Sequence, residues 1–198
     1  MRADGLILAG GASRRMGGNH KGNLIFEGKT FQERIISELK KEAKAVWISY
    51  GREVQKEEQD CRIVMDIYAG SGPIGGIHAG LNSCEQELVM VASCDLPFLK
   101  VELYQWLYEE LLRTEQENQR RYEGIVPMIK DWVHPLSAIY RKSAAAIAEE
   151  QIQCGNYRMR DFAAHTDILK VDVSGYPAFV KMFTNVNTLE DYERIQGR

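Results

Sequence analysis

Leu6-Ile-Leu-Ala-Gly-Gly-Ala-Ser-Arg-Arg-Met-Gly-Gly-Asn-His-Lys-Gly22 joins a short apolar run to a loop rich in glycine and cations. The run reads as a first β-strand. The loop has the composition of a phosphate site, because glycines let backbone N–H groups approach an anion closely. Ser13, Arg14, Arg15 and Lys21 add a hydroxyl and positive charge within the same span. A nucleotide is the expected occupant.

Downstream, helical and strand patterns alternate. Phe31, Ile35, Ile36 and Leu39 recur at three- and four-residue steps, which predicts a helix over 31–43 with one buried face. Thr30 and Glu33 have the spacing of a capping box at its start. Residues 45–50 read as a strand, 52–59 as a short charged helix, and 61–65 as a third strand. Strands of mostly apolar residues separated by helices imply an α/β fold with a mostly parallel sheet covered on both faces. The triplet Gly28-Lys29-Thr30 is not a P-loop, because Asn23 stands where that motif needs glycine. Glu27-Gly28-Lys29 reads instead as a tight turn.

Asp66 closes the third strand and precedes a stretch with four glycines and a proline, 67–76, which reads as a ligand-wrapping loop before a short helix over 77–82. Glu87-Leu-Val-Met-Val-Ala-Ser-Cys94 is the most continuous apolar run and the expected central strand. It delivers Asp95 to the carboxyl end of the sheet, where ligands of open α/β folds bind. An aspartate there suits two roles, a helix cap or a magnesium ligand, and the cationic loop favours the metal. Further on, a helix over 101–115 leads to a polar connection, 115–121. Two strands follow, 124–129 and 134–140, either one free to run antiparallel. Helices over 143–153 and 156–165, a strand over 168–172 and a terminal helix opened by Thr188 complete the pattern. Asn185 and Asn187, at i and i+2 just before that helix, suit either a loop anchor or a ligand contact. His134 before Pro135 reads as a structural or strand-entry histidine.

The 198 residues fit one domain, 1–198. Hydrophobic content of 44 % and a formal net charge of −3 give no basic excess for general nucleic-acid binding. No stretch approaches the roughly 20 apolar residues of a membrane span, and the N-terminal apolar run is too short for a secretory signal, so a cytoplasmic location is expected. The four cysteines, Cys61, Cys84, Cys94 and Cys154, show neither zinc-ligand nor disulfide-framework spacing and are expected as buried thiols.

The ordered segments Leu8-Ala-Gly-Gly11, Arg15-Met-Gly-Gly18, Lys21-Gly22, Gly72-Pro-Ile-Gly-Gly76, Cys94-Asp-Leu-Pro97, His134-Pro135 and Asn185-Val-Asn-Thr188 resemble the signatures of molybdenum cofactor guanylyltransferases over nearly the whole chain. The first segment is shared by many nucleotidyltransferases; the His-Pro and Asn-Val-Asn-Thr elements narrow the resemblance. It implies a three-layer αβα, Rossmann-like domain that moves GMP from Mg-GTP onto the terminal phosphate of molybdopterin and releases pyrophosphate. Implied partners are GTP, molybdopterin, and other cofactor-biosynthesis proteins or acceptor molybdoenzymes. By the same resemblance, Leu8, Ala9, Gly10 and Gly11 contact base and ribose, and Arg15 and Lys21 hold the triphosphate. Asp95 binds Mg²⁺, Asn185 and Asn187 position the acceptor phosphate or metal waters, and Asp66 with the 70–76 loop helps recognise the guanine nucleotide. A cytidylyltransferase of the same fold, acting on molybdopterin or a sugar or polyol phosphate, and a non-catalytic nucleotide-binding or cofactor-handover module remain alternatives.

One position departs from the resemblance: His20 stands where the family usually has aspartate before the motif lysine. An imidazole beside a triphosphate is favoured in its protonated form and donates hydrogen bonds, whereas a carboxylate orients the neighbouring cations. We predict that His20→Asp speeds guanylyl transfer by the purified protein; equal rates for the two proteins would remove the expectation.

Overall fold

Alternate residues of the strands feed two separate cores, which is what places helices on both faces of the sheet. A computed structural model of the chain describes residues 1–10, 21–51, 60–186 and 188–197. The elements in order are β1 (Ala3–Leu8), a 3-10 turn (Lys21–Asn23), β2 (Ile25–Phe26), β3 (Lys29–Thr30), α1 (Phe31–Leu39), β4 (Ala43–Ser49), β5 (Arg62–Val64), α2 (Pro73–Ser83), β6 (Leu88–Ser93) and α3 (Val101–Asn118). They continue with β7 (Gly124–Ile129), β8 (Trp132–Val133), β9 (Ser137–Arg141), α4 (Ala144–Gln153), α5 (Met159–His165), β10 (Ile168–Asp172), α6 (Pro177–Met182) and α7 (Leu189–Ile195).

From β1 and β6, Ala3, Ile7, Met90 and Ala92 pack with α1 and α3, through Ile35, Leu39, Leu103 and Leu107. Leu6, Leu8, Val89 and Val91 of the same strands pack with α2, α4 and α5, through Ile74, Ile77, Ala148 and Phe162. The result is the three-layer αβα arrangement. The sheet runs β10-β7-β9-β6-β1-β4-β5, with β8 added to β7. β1 is parallel to β4 and β6, and β4 to β5, while β9 runs antiparallel to β6 and β7. β6 is the middle strand of the path, as its unbroken apolar run predicts, and of the two late strands it is β9 that reverses. Asp4, fully buried on β1, accepts backbone N–H groups from Ala45, Glu85 and Gln86, so its carboxylate is satisfied where it ties the starts of β1, β4 and β6.

The local signals at α1 hold. Glu27 and Gly28 take φ of 50° and 78° between β2 and β3, the positive-φ pair of a two-residue hairpin turn. Thr30 and Glu33 form the reciprocal capping box. α1 stops at Leu39 rather than 43, because Lys40–Glu42 turn over and Ala43 already pairs with Ala3.

The larger correction concerns 67–76. Only Gly70 and Gly72 adopt positive φ; from Pro73 onward the chain is helical, with the proline in the first turn where its missing N–H is harmless. The glycines of α2 serve close packing instead. A Cβ on Gly76 would lie 2.7 Å from Ser49 Oγ and 3.0 Å from Leu8 Cδ2, and one on Gly80 would lie 2.2 Å from Leu6 Cδ2. The polar stretch at 115–121 is likewise helical as far as Asn118, where Gln119 ends α3 in the left-handed conformation. α5 covers Met159–His165 of the expected 156–165, and α6 has no counterpart among the sequence expectations. The helix expected over 52–59 lies outside the described residues. Of the cysteines, Cys84 is buried and its thiol is pushed up to about 12 by burial, Cys61 and Cys94 are half-buried, and Cys154 is exposed, against expectation. Among the described residues no helix is long and apolar enough to cross a membrane.

Gly80→Ala should lower the unfolding free energy by roughly 1–3 kcal/mol through overpacking against Leu6. Alanine's helix advantage over glycine, about 1 kcal/mol, works against that loss without removing it. Urea denaturation checks this; an unchanged or higher stability would contradict the close-packing account.

Candidate functional site at the strand switch point

After β1 the chain lays β4 and β5 to one side and then crosses to place β6 on the other. The two directions part between β1 and β6, and a crevice for ligands forms beyond such a point at the carboxyl ends of the strands. Leu8 ends β1 between Ser49 of β4 and Ser93 of β6. The N–H groups of Ala9 and Gly10 both donate to Ser49 O, at 2.8 and 3.0 Å. A Cβ on Gly10 would sit 3.1 Å from both Gly51 N and Tyr50 C, so only glycine lets the chain leave β1 against the end of β4 without a shift.

Gly11, Ser13, Arg14, Arg15 and His20 lie outside the described residues. The chain resumes in the 3-10 turn opened by Lys21, whose Gly22 packs against Gln32 and Cys94: a Cβ there would meet Gln32 Oε1 at 3.2 Å and Cys94 Cβ at 3.8 Å. Gln32, buried on α1, donates to the Tyr50 hydroxyl at 2.8 Å. The exit from β1, the Lys21 turn and the end of β6 are thereby held close together at the carboxyl ends of the strands.

Asp95 stands at the crevice two residues beyond β6. It is half-buried and its Oδ1 accepts from the Ser93 hydroxyl at 2.5 Å. Its backbone carbonyl accepts from Val186 N at 3.1 Å, which brings the neighbouring Asn185 to the same edge. Val186 is buried with Phe26 and Phe31, and Tyr192 of α7 donates to Ile25 O at 2.6 Å, so the hairpin, α1 and the C-terminal helix anchor this segment together. Thr188 and Asp191 form the capping box of α7, as the sequence predicts for its opening. Asn187 lies outside the described residues.

His134 supports the same segment from the other side. Its ring packs on Phe183 with centroids 4.3 Å apart, its N–H donates to Pro127 O, and burial holds its pKa below the ordinary imidazole value. Phe183 leads directly into Thr184 and Asn185. The reading of His134 as structural is therefore correct, and what it structures is the approach to Asn185.

Asp66 occupies the opposite flank. Ser49 Oγ donates to its Oδ1 at 2.8 Å, its N–H donates to Gly51 O, and its carboxylate lies against the first turn of α2, where a Cβ on Gly75 would come within 3.2 Å of Oδ2. Burial raises the Asp66 pKa, and the Ser49 hydrogen bond and the charge of His78 offset this in part. Of the expected site residues, the structure brings together Leu8, Ala9, Gly10, Asp95, Asn185 and the Lys21 backbone, with Asp66 at the β5 side. Sequence reading missed Ser49 and Ser93. Each is a hydroxyl at the last position of an apolar strand, and that is the signal that marks them.

Glycine backbone at one strand end and a carboxylate beyond the next suit an α/β protein that handles nucleotides, and similarity to known proteins makes it a nucleotidyltransferase. Residues 5–169 match the MobA-like NTP transferase domain, and the chain belongs to that family. A probable molybdenum cofactor guanylyltransferase of Clostridium perfringens (strain 13) is 32 % identical over 196 residues, covering 94 % of this chain and 92 % of the relative. One from Pelotomaculum thermopropionicum is 32 % identical over 194 residues, covering 96 % and 90 %. The crystal structure of molybdopterin-guanine dinucleotide biosynthesis protein A from Archaeoglobus fulgidus superposes with a TM-score of 0.80 at 26 % identity, covering 100 % of this chain and 97 % of that one.

Because Asp66 binds its proton more tightly in the native state than in the unfolded chain, its ionisation weakens folding as pH rises through and above the carboxylate range. Asp66→Asn should therefore raise the thermal midpoint at pH 7, and the gain should vanish at acid pH where the wild-type carboxyl is neutral. A lower midpoint at pH 7 would contradict this.

Proposed function

We propose that the chain, as a single domain over 1–198 working in the cytoplasm, transfers GMP from GTP to the terminal phosphate of molybdopterin and releases pyrophosphate. The observation that carries this reading is Asp95 just beyond β6 at the switch point, joined through Val186 to the Asn185 segment, with the glycine exit of β1 on the adjacent strand. The names borne by relatives that align over nearly the whole chain supply the substrates.

An oxygen of the acceptor phosphate attacks the α-phosphorus of GTP; a new phosphoanhydride bond forms as the α–β bond breaks, and its electron pair leaves on pyrophosphate. An anionic acceptor needs no strong base, so the protein's work is positioning and charge neutralisation. In this reading Leu8, Ala9, Gly10 and Gly11 hold base and ribose through their backbone, and Asp66 recognises the guanine nucleotide from the β5 side. Arg15 and Lys21 bind the triphosphate and stabilise the departing pyrophosphate. Asn185 and Asn187 orient the acceptor phosphate.

A divalent cation fits the donor chemistry, which offers hard oxygen and amide ligands. Mg²⁺ suits a site that offers it a single protein carboxylate, because it keeps water and phosphate as its other ligands. Asp95 would hold it, Asn185 and Asn187 would orient its waters, and when bound the ion would neutralise charge on the phosphates.

Asp95→Ala should reduce pyrophosphate release from GTP in the presence of molybdopterin by at least about 10²-fold while the thermal unfolding transition stays cooperative. Turnover within a few-fold of the wild type would remove Asp95 from the chemistry.

A further inference from the structure

The nucleotide groups of the proposed reaction account for one half of the crevice. Gly10, Gly51 and Asp66 lie at the ends of β1, β4 and β5, all on one side of Asp95. The other side is formed by the start of β9 and the ends of β7 and β10, which share that edge because β9 runs against its neighbours and β10 runs with β7. With the base and ribose on the first half, the second half is the open ground on which the rest of the acceptor can extend while its phosphate meets the α-phosphorus.

There β7 and β8 project as a hairpin, with Ile129 paired to Trp132 and Met128 to Val133. Trp132 is 73 % exposed, more than any other large hydrophobic side chain among the described residues, and no ring or cation contact engages its indole among them. The hairpin that carries it is fixed at both ends. Lys130, held at a φ of 56°, donates its N–H to Ser174 Oγ at 2.7 Å; that hydroxyl is itself bonded to Asp172, and His134 N–H binds Pro127 O at 2.9 Å. An indole held out to water on a pinned hairpin is a preorganised stacking surface, because a flat ligand that lands on it orders little of the protein. β7 lies two interstrand steps from β6, about 10 Å, which a fused-ring molecule with a phosphate arm can bridge.

We propose that the Trp132 indole is the platform on which the pterin ring of the acceptor stacks while its phosphate reaches the nucleotide beside Asp95. The proposal rests on the guanylyltransferase reading for the identity of the acceptor. It makes Trp132 a specificity-determining residue for the second substrate and leaves the first untouched.

The test measures initial rates of the wild type, Trp132→Ala and Trp132→Phe with molybdopterin varied at saturating Mg-GTP, and with GTP varied at saturating molybdopterin. Loss of a ring stack weakens binding by about 5- to 100-fold. Trp132→Ala should therefore raise KM for molybdopterin by about tenfold with KM for GTP unchanged, and Trp132→Phe should recover most of the difference. An unchanged acceptor KM, or a rise shared equally by GTP, overturns the proposal. A binding arm separates its failure from failure of the reaction assignment: 6-hydroxymethylpterin phosphate is titrated into wild type and Trp132→Phe while absorbance-corrected tryptophan emission is followed, with Trp47 and Trp106 present in both proteins. Quenching that needs Trp132, in a wild type that transfers GMP to no pterin, would sink the reaction and keep the platform. Equal quenching in the two proteins, or none, sinks the platform whatever the transfer assay shows.

Discussion

The close approach of α2 to β1 and β4 sets the geometry of the site on the β4 side of the switch point. With no side chain at Gly76 or Gly80, the helix lies directly on Leu6, Leu8 and Ser49. That contact fixes the carboxyl ends of β1 and β4, and with them the Ser49 carbonyl that receives two N–H groups from Ala9 and Gly10. It also presses the first turn of α2 against Asp66, whose carboxyl is driven up in pKa by the resulting burial. A bulkier α2 face would displace the strand ends and the carboxylate together, so packing in the core and placement of the site are one constraint.

On the other side of the switch point, the site is held by distant parts of the chain. Asp95 belongs to β6, but the segment beside it comes from the C-terminal region, seated by Val186 in an apolar cluster with Phe26 and Phe31 and propped by the stack of His134 on Phe183. The proposed transfer, which relies on positioning two anionic groups and neutralising their charge, needs this kind of support more than it needs a reactive side chain. Burial disfavours the charged form of His134, so the contribution of its neutral ring is shape, which is what such support requires.

Much of this was legible in residues 1–198 because local and long-range signals agree. The β1 run, the capping box at Thr30, the helix start at Thr188, the apolar run of β6 and the aspartate that follows it each have a mechanism that depends on neighbours in sequence. The start of α2 was misread for a physical reason. Glycines in a row signal a flexible loop when only the backbone's freedom is considered, and the need for a bare helix face appears only once Leu6, Leu8 and Ser49 are placed beneath it. Ser49, Ser93 and Trp132 carry little signal in the sequence because their significance lies in tertiary position, at the ends of strands and on a projecting hairpin. The extension of α3 through Glu117 and Asn118 was hidden by composition, since its last turn is polar all round and held by surface pairs such as Arg113 with Glu110 and Glu117.

The central claim is that the crevice between β1 and β6 handles a guanine nucleotide and passes its GMP to molybdopterin. Pyrophosphate release measured with each of the four nucleoside triphosphates and Mg²⁺, with and without molybdopterin, tests it most directly. The account predicts release with GTP alone and only when molybdopterin is present. Release with CTP in place of GTP, or nucleotide binding with no pyrophosphate formed from any of the four, would contradict it.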